Sequence, residues 1–271
     1  MKNKTFLAFI LGATITISAA IYQRITGPTY PKTFKIETSL GEYKFKLKRS
    51  QNSTKDFYVE LPKAPENLNG VVYYRVYPGN FKWDSVELQK ENNVLKALLP
   101  SQPAAGKLEY FLVLKENGRE IKVAEDEPVI IRFKGDVPAV IMIPHVLFMF
   151  FAMFFSNLTG ILILLKKDNY RKYLKIAFVL LVLGGAVLGP IVQKYAFGHY
   201  WTGWPMGEDL TDNKTLIALI AFLIAFIANF KKQRPKIAFA AVLILFLVYM
   251  IPHSMRGSER NPETGEIVTG K

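Results

Sequence analysis

Five stretches of this 271-residue chain, residues 6–22, 138–165, 176–193, 215–230 and 237–252, are nearly free of charged side chains. A helix needs about 20 apolar residues to cross the ~30 Å hydrocarbon layer of a bilayer. Lipid offers no partner for irregular backbone, so such runs predict helices. The last two runs are a little short and need their polar flanks. The 28 residues of 138–165 would make one helix about 42 Å long at ~1.5 Å per residue, which overshoots the hydrocarbon. Pro144 is therefore expected to mark a kink, or the start of the spanning helix after a short interfacial segment.

The net charge of +13 raises the question of nucleic acid, and its distribution answers it. The N-terminus, residues 166–175 and residues 231–236 carry eleven Lys/Arg and one Asp. The long segment 23–136 carries nineteen Lys/Arg against fifteen acids, and residues 194–214 with 253–271 carry five against six. The basic excess thus sits in the N-terminus and two short turns. That is the pattern of cytoplasmic connections in a membrane protein, not a nucleic-acid footprint. The expected topology is N-terminus inside, 23–136 outside, two helical hairpins and the C-terminus outside. Lys2 and Lys4 ahead of Phe6–Tyr22 suit a signal peptide or an uncleaved signal anchor. Ser18-Ala19-Ala20 could be cleaved, but Ile21 and Tyr22 continue the run and favour the anchor.

Residues 30–134 alternate apolar and polar in short runs, as in Phe34 and Ile36, then Tyr43, Phe45 and Leu47. Further strands are expected at 57–61, 71–77, 85–88, 94–98, 107–115 and 129–133. Turns are expected at Asn69-Gly70, Pro78-Gly79-Asn80, Asn92-Asn93, Ala105-Gly106 and Asn117-Gly118. Such spacing predicts a β-sandwich, with Trp83, Tyr73 and Tyr74 packed in its core. The stretch from Tyr73 through Trp83 to Tyr110 resembles an immunoglobulin or fibronectin-type module, which implies a fold and no specific function. The expected divisions are a 1–23 anchor, the 30–134 sandwich, a 137–253 four-helix membrane domain and a 254–271 outer tail.

The chain holds no cysteine, so disulfides and thiolate ligation are excluded. It has three histidines, His145, His199 and His253. His145 lies 21 residues before Lys166, about 31 Å along a helix, and His253 lies 17 residues after Lys236, about 25 Å. Both reach the outer boundary, and His199 falls in the outer loop between them. Ile-Pro-His occurs at 143–145 and again at 251–253. Two readings stand: proline simply marks helix ends where imidazoles anchor at the interface, or two neutral imidazoles face one metal or haem site. The loop 197–215 adds Trp201 and Trp204, Gly198, Gly203 and Gly207, and Glu208, Asp209 and Asp212. Interfacial tryptophans anchor helices, but three glycines also permit tight backbone turns. Thr211 or Asp212 is expected to cap a helix running from Thr215.

This loop resembles the tryptophan-rich WWD motif of haem-handling membrane proteins of cytochrome c maturation. Gly198, Trp201, Trp204, Asp209 and Thr211 match in kind, with a helix following. Two residues separate the tryptophans here, and Pro205–Glu208 precede Asp209. The resemblance implies haem b held by His145 and His253, with His199, Trp201, Trp204 and Asp209 shaping the site.

No Gly-rich phosphate loop, nucleophile elbow or zinc-type His-Glu pair occurs. No charge interrupts the middle of a span, which argues against an ion pathway. Asn157 and Thr159 are expected to bond between helices. The expectation is an inner-membrane, multi-pass protein with a periplasmic β-domain, handling haem or a metal in electron transfer or haem delivery. The alternative is a non-catalytic scaffold whose β-domain binds a membrane or periplasmic protein partner.

Overall fold

A computed structural model describes residues 2–253 and 255–269, with side chains from Lys4 onward; the Lys2 side chain and Lys271, both used in the charge reading, lie outside it. The chain divides into two compact units. Among the described residues, 2–28, 137–253, 255–257 and 269 form a helical unit, and residues 29–136 with 258–268 form a β unit.

Four helices of the helical unit are long and apolar enough to cross a membrane: α1 (Lys2–Thr26), α2 (Ala139–Leu164), α3 (Tyr170–Phe197) and α4 (Leu210–Lys231). A fifth, α5 (Pro235–Met250), has 16 residues and spans about 24 Å. Helix α2 runs through Pro144 from Ala139, so the proline is not the helix start. Its ring costs one backbone bond near the first turns. Polar side chains tie the helices together. Asn157 on α2 donates to Thr16 Oγ1 on α1 (3.0 Å), whereas Thr159 bonds within its own helix to the Phe155 carbonyl. Tyr170 on α3 donates to Asn229 Oδ1 on α4 (2.7 Å), and Asn229 in turn accepts from the Arg234 N–H ahead of α5. Gly160 lets α5 approach: a Cβ there would lie 2.9 Å from Val242 Cγ1.

The β unit contains strands β1 (Lys32–Thr38), β2 (Gly41–Leu47), β3 (Ser50–Asn52), β4 (Phe57–Pro62), β5 (Leu68–Tyr77), β6 (Asp84–Glu87), β7 (Gln89–Glu91), β8 (Val94–Leu99), β9 (Lys107–Glu116), β10 (Arg119–Val123), β11 (Val129–Lys134), β12 (Glu259–Arg260) and β13 (Ile267–Val268). Central strand β9 pairs with β5 along one edge, and its other edge is shared by β11 and β10. β3 adds to β11 in parallel and β6 adds to β5. A second sheet has the order β4-β8-β7, and β1-β2 forms its own ladder. Alternation sends Phe45 and Leu47 of β2, Phe57, Val59 and Leu61 of β4, and Leu108, Tyr110, Leu112 and Leu114 of β9 into one apolar core. At ~25 cal/mol per Å², each such side chain contributes about 1.5–3 kcal/mol.

Two expected turns appear as tight hairpins with left-handed pairs, Asn92-Asn93 and Asn117-Gly118. Asn69-Gly70 is instead inside β5. Gly70 serves close approach there, since a Cβ would meet the Val113 carbonyl oxygen at 2.6 Å. Trp83 also departs from its expected core position. It is partly exposed and packs edge-on to Phe111 with the Arg75 guanidinium 4.4 Å over its ring. Tyr73 stacks on the same Phe111, so this aromatic group lies on the face of the sheet away from the core.

Residues 258–268, expected as part of the outer tail, belong to the β unit. Arg260 N–H donates to the Ala105 carbonyl, Arg132 donates to the Ser258 carbonyl (2.8 Å), and Lys107 pairs with Glu259.

Candidate functional site

The start of α2 meets the middle of α3 through His145 and Gly184, the start of α4 meets the end of α5 through Lys214 and Ile251, and Gly185 of α3 lies against Thr215 of α4. Helix α3 stops on Gly198, whose φ of 90° only glycine adopts freely. Asp209 caps α4: its Oδ1 accepts from the N–H groups of Thr211 (2.8 Å) and Asp212 (3.4 Å). The carboxylate satisfies free donors and faces the positive end of the helix. The expected cap was Thr211 or Asp212, with the helix from Thr215. The helix begins at Leu210, and that releases Asp212 for another task. Its buried Oδ2 accepts from the N–H (2.7 Å) and Oγ1 of Thr202, while Gln193 on α3 donates to the same Oγ1.

The glycines of the loop then have specific reasons. A Cβ on Gly203 would lie 2.6 Å from Asp212 Cβ, and one on Gly207 would lie 2.4 Å from the Thr202 carbonyl oxygen. Asn213 Oδ1 accepts from the Trp204 N–H (2.7 Å), and Trp201 Nε1 donates to the Trp204 carbonyl (3.1 Å). The loop is folded onto the first turn of α4 by side-chain-to-backbone bonds.

Behind it lie two histidines and a lysine. Helix α3 contains a π-helical segment, Val182–Leu188, and such segments mark functional sites disproportionately. The Gly184 carbonyl there accepts from His145 Nδ1 at 3.0 Å. A carbonyl only accepts, so His145 carries its proton on Nδ1, and the neutral ring has its lone pair on Nε2. Gly184 and Gly185 permit this packing: a Cβ on the first would touch Met149 Sδ at 2.8 Å, and one on the second Thr215 Cγ2 at 2.9 Å. Lys214, in the first turns of α4, is only 4% exposed. Its ammonium donates to the Ile251 carbonyl (2.7 Å) and to His253 Nδ1 (2.9 Å). An ammonium has no lone pair, so Nδ1 accepts and the neutral His253 ring carries its proton on Nε2. His253 is itself exposed, and Thr215, next to Lys214, lies against Gly185, next to the carbonyl that holds His145. Asp209 supplies an opposing charge to Lys214 through space.

The structure therefore gathers His145 and His253 at one end of the helices but does not make them equivalent. His145 presents a lone pair and His253 an N–H. His199 is exposed in the loop. Trp204 is 70% exposed, which removes it from any enclosed wall, and Trp201 is half-buried. Asp209 is a helix cap. Among the described residues no group of three or more His, Cys, Asp or Glu is placed to hold a metal ion. Sequence reasoning missed Lys214, Gln193 and the π segment. A signal existed for Lys214, because a lysine near the N-terminus of an apolar helix opposes the helix dipole and needs a reason. Comparison with family models, with characterised proteins and with solved structures finds no match to this chain.

Proposed function

We propose that this chain is a polytopic protein of the cytoplasmic membrane that carries a periplasmic immunoglobulin-like β-sandwich and holds haem at its outer face. Its role would lie in electron transfer or haem delivery. The clustering of basic residues in the turn after α2 and the turn before α5 supports the orientation. The apolar faces of the two main sheets, which share one core, support the sandwich.

The observation that carries the haem reading is His145. Its Nδ1–H is fixed on the Gly184 carbonyl, the arrangement that orients metal-bound histidines and leaves Nε2 free to ligate. Haem supplies most of its iron's donors itself, so a single histidine, His145, would suffice to hold it. A bare ion held wholly by side chains would need more donors than this end of the protein gathers. His253 fits less well as a second ligand while the Lys214 ammonium occupies its Nδ1.

That same contact favours a second reading, in which Lys214, His253 and the Ile251 carbonyl form a structural tie and the protein is a scaffold for a partner. The absorption spectrum of protein purified in mild detergent from haem-replete cells separates the two. A reduced b-type spectrum that is lost in H145A and retained in H199A supports haem binding. A protein that stays colourless, and takes up no added haem, supports the scaffold.

A further inference from the structure

The β unit contains a cleft of about 690 Å³ between β2 and β4, in the size range of ligand sites. Its two walls are strand edges. Among the described residues, β2 has β1 as its only ladder partner and β4 has β8, and no ladder joins β2 to β4. The register fixes what the β4 edge offers. Pro62 has no N–H, and its carbonyl accepts from the Tyr43 hydroxyl on β2 (2.9 Å), so Pro62 turns its backbone away from β8. Alternate residues of a strand share that direction. Tyr58 and Glu60 therefore also aim backbone N–H and C=O groups into the cleft.

The side chains of the walls alternate as well. Phe45 and Leu47 of β2, and Phe57 and Val59 of β4, point into the core and are nearly inaccessible. The intervening Lys44 and Lys46 are exposed at the rim, joined by Lys48 and Lys96 against a single carboxylate, Glu60. Lys48 pairs with Glu60 and Lys96 with Glu91. Among the described residues no carboxylate lies within 4 Å of Lys44 or Lys46.

We propose that this cleft receives an extended acidic peptide segment of a partner protein, added as a strand beside β4. Unpaired strand edges are templates for such addition, with backbone bonds giving affinity and alternate side chains giving specificity. The exposed lysines dictate the occupant's pattern: carboxylates at alternate positions, directed toward Lys44 and Lys46. An acyl chain would fill the apolar space but leave the backbone groups of Tyr58 and Glu60 without partners, which buried backbone rarely tolerates. The inference does not depend on the haem reading.

The test uses the full chain in lipid nanodiscs and a labelled octapeptide alternating glutamate and valine. Saturable binding is expected, weakened at least tenfold in K44E/K46E and by raised salt. Binding should also slow amide exchange at Tyr58 and Glu60. Both lysines are exposed, so the double variant keeps its fold, which an unchanged melting profile checks. The proposal is overturned if the peptide does not bind saturably, or if a lysine–valine peptide binds equally well. It is also overturned if an alternately N-methylated peptide binds equally well, or if dodecanoate occupies the cleft in preference to the peptide.

Discussion

Truncation of the β unit to residues 29–136 removes the strap 258–268 and with it Glu259. Lys107 and Glu259 are a shielded pair, with side chains 15% and 7% exposed. Removing one partner of such a pair leaves an uncompensated buried charge and costs about 3–5 kcal/mol. The Arg132 bond to the Ser258 carbonyl is lost as well, at about 1.5–3 kcal/mol for a charge-assisted bond. A small domain has roughly 5–15 kcal/mol of stability in total, so residues 29–136 alone should be marginal. Joining 258–268 to residue 136 through a flexible linker of about 12 residues, which reaches about 20 Å on average, should restore a cooperative melt. The difference in melting temperature should exceed about 10 °C, given ~4–8 °C per kcal/mol at this size. E259Q in the joined protein should lose most of that difference. K107M/E259M, which replaces the pair with apolar groups, should recover it. Equal melting temperatures with and without the strap would refute the reasoning.

Three further outcomes follow from the same structure. Burial lowers the pKa of the Lys107 ammonium, against the raising effect of its bond to Glu259. The unfolded chain then binds more protons between the folded value and the ordinary ~10.4, so stability rises with pH across that window. In E259Q the window reaches lower, and denaturant midpoints at alkaline pH below the ordinary ~10.4 should rise more steeply than in the wild type. D209A removes the cap of α4 and should cost about 0.5–2 kcal/mol, read as a lower melting temperature in detergent, with D209N losing less; an unchanged D209A would deny the cap. A reporter active only outside the cytoplasm should work when fused after Lys134 and fail after Lys167 or Lys232, and activity at Lys167 would overturn the topology.

Most strands were legible because alternation is a local signal. Tyr43, Phe45 and Leu47 declare their face without help from the rest of the chain, and Asn92-Asn93 can take the paired left-handed conformation that a two-residue hairpin requires. What failed were features whose cause lies far away in sequence. Gly70 reads locally as a turn, yet it is glycine because the Val113 carbonyl of another strand approaches it. Trp83 reads as core by its size, yet its indole is covered by Arg75 and Phe111 on the outer face of the sheet. The strap 258–268 carries no strong periodicity, and it is held by Lys107 and Arg132, some 150 and 126 residues earlier.

The candidate site divides along the same line. Depth counting from Lys166 and Lys236 placed His145 and His253 at a common level, because helical rise is fixed. Depth says nothing of rotation or of protons. Only the structure puts the Gly184 carbonyl on one imidazole and the Lys214 ammonium on the other, and those two neighbours reverse the roles of Nε2 in the two rings. Two histidines that match in motif, Ile-Pro-His in each case, therefore differ in chemistry: one offers a lone pair and the other a proton. The difference comes from one carbonyl within the π-helical segment of α3 and one lysine in the first turns of α4. Both break the regularity that sequence reading relies on, and sites that carry function are where such breaks are expected.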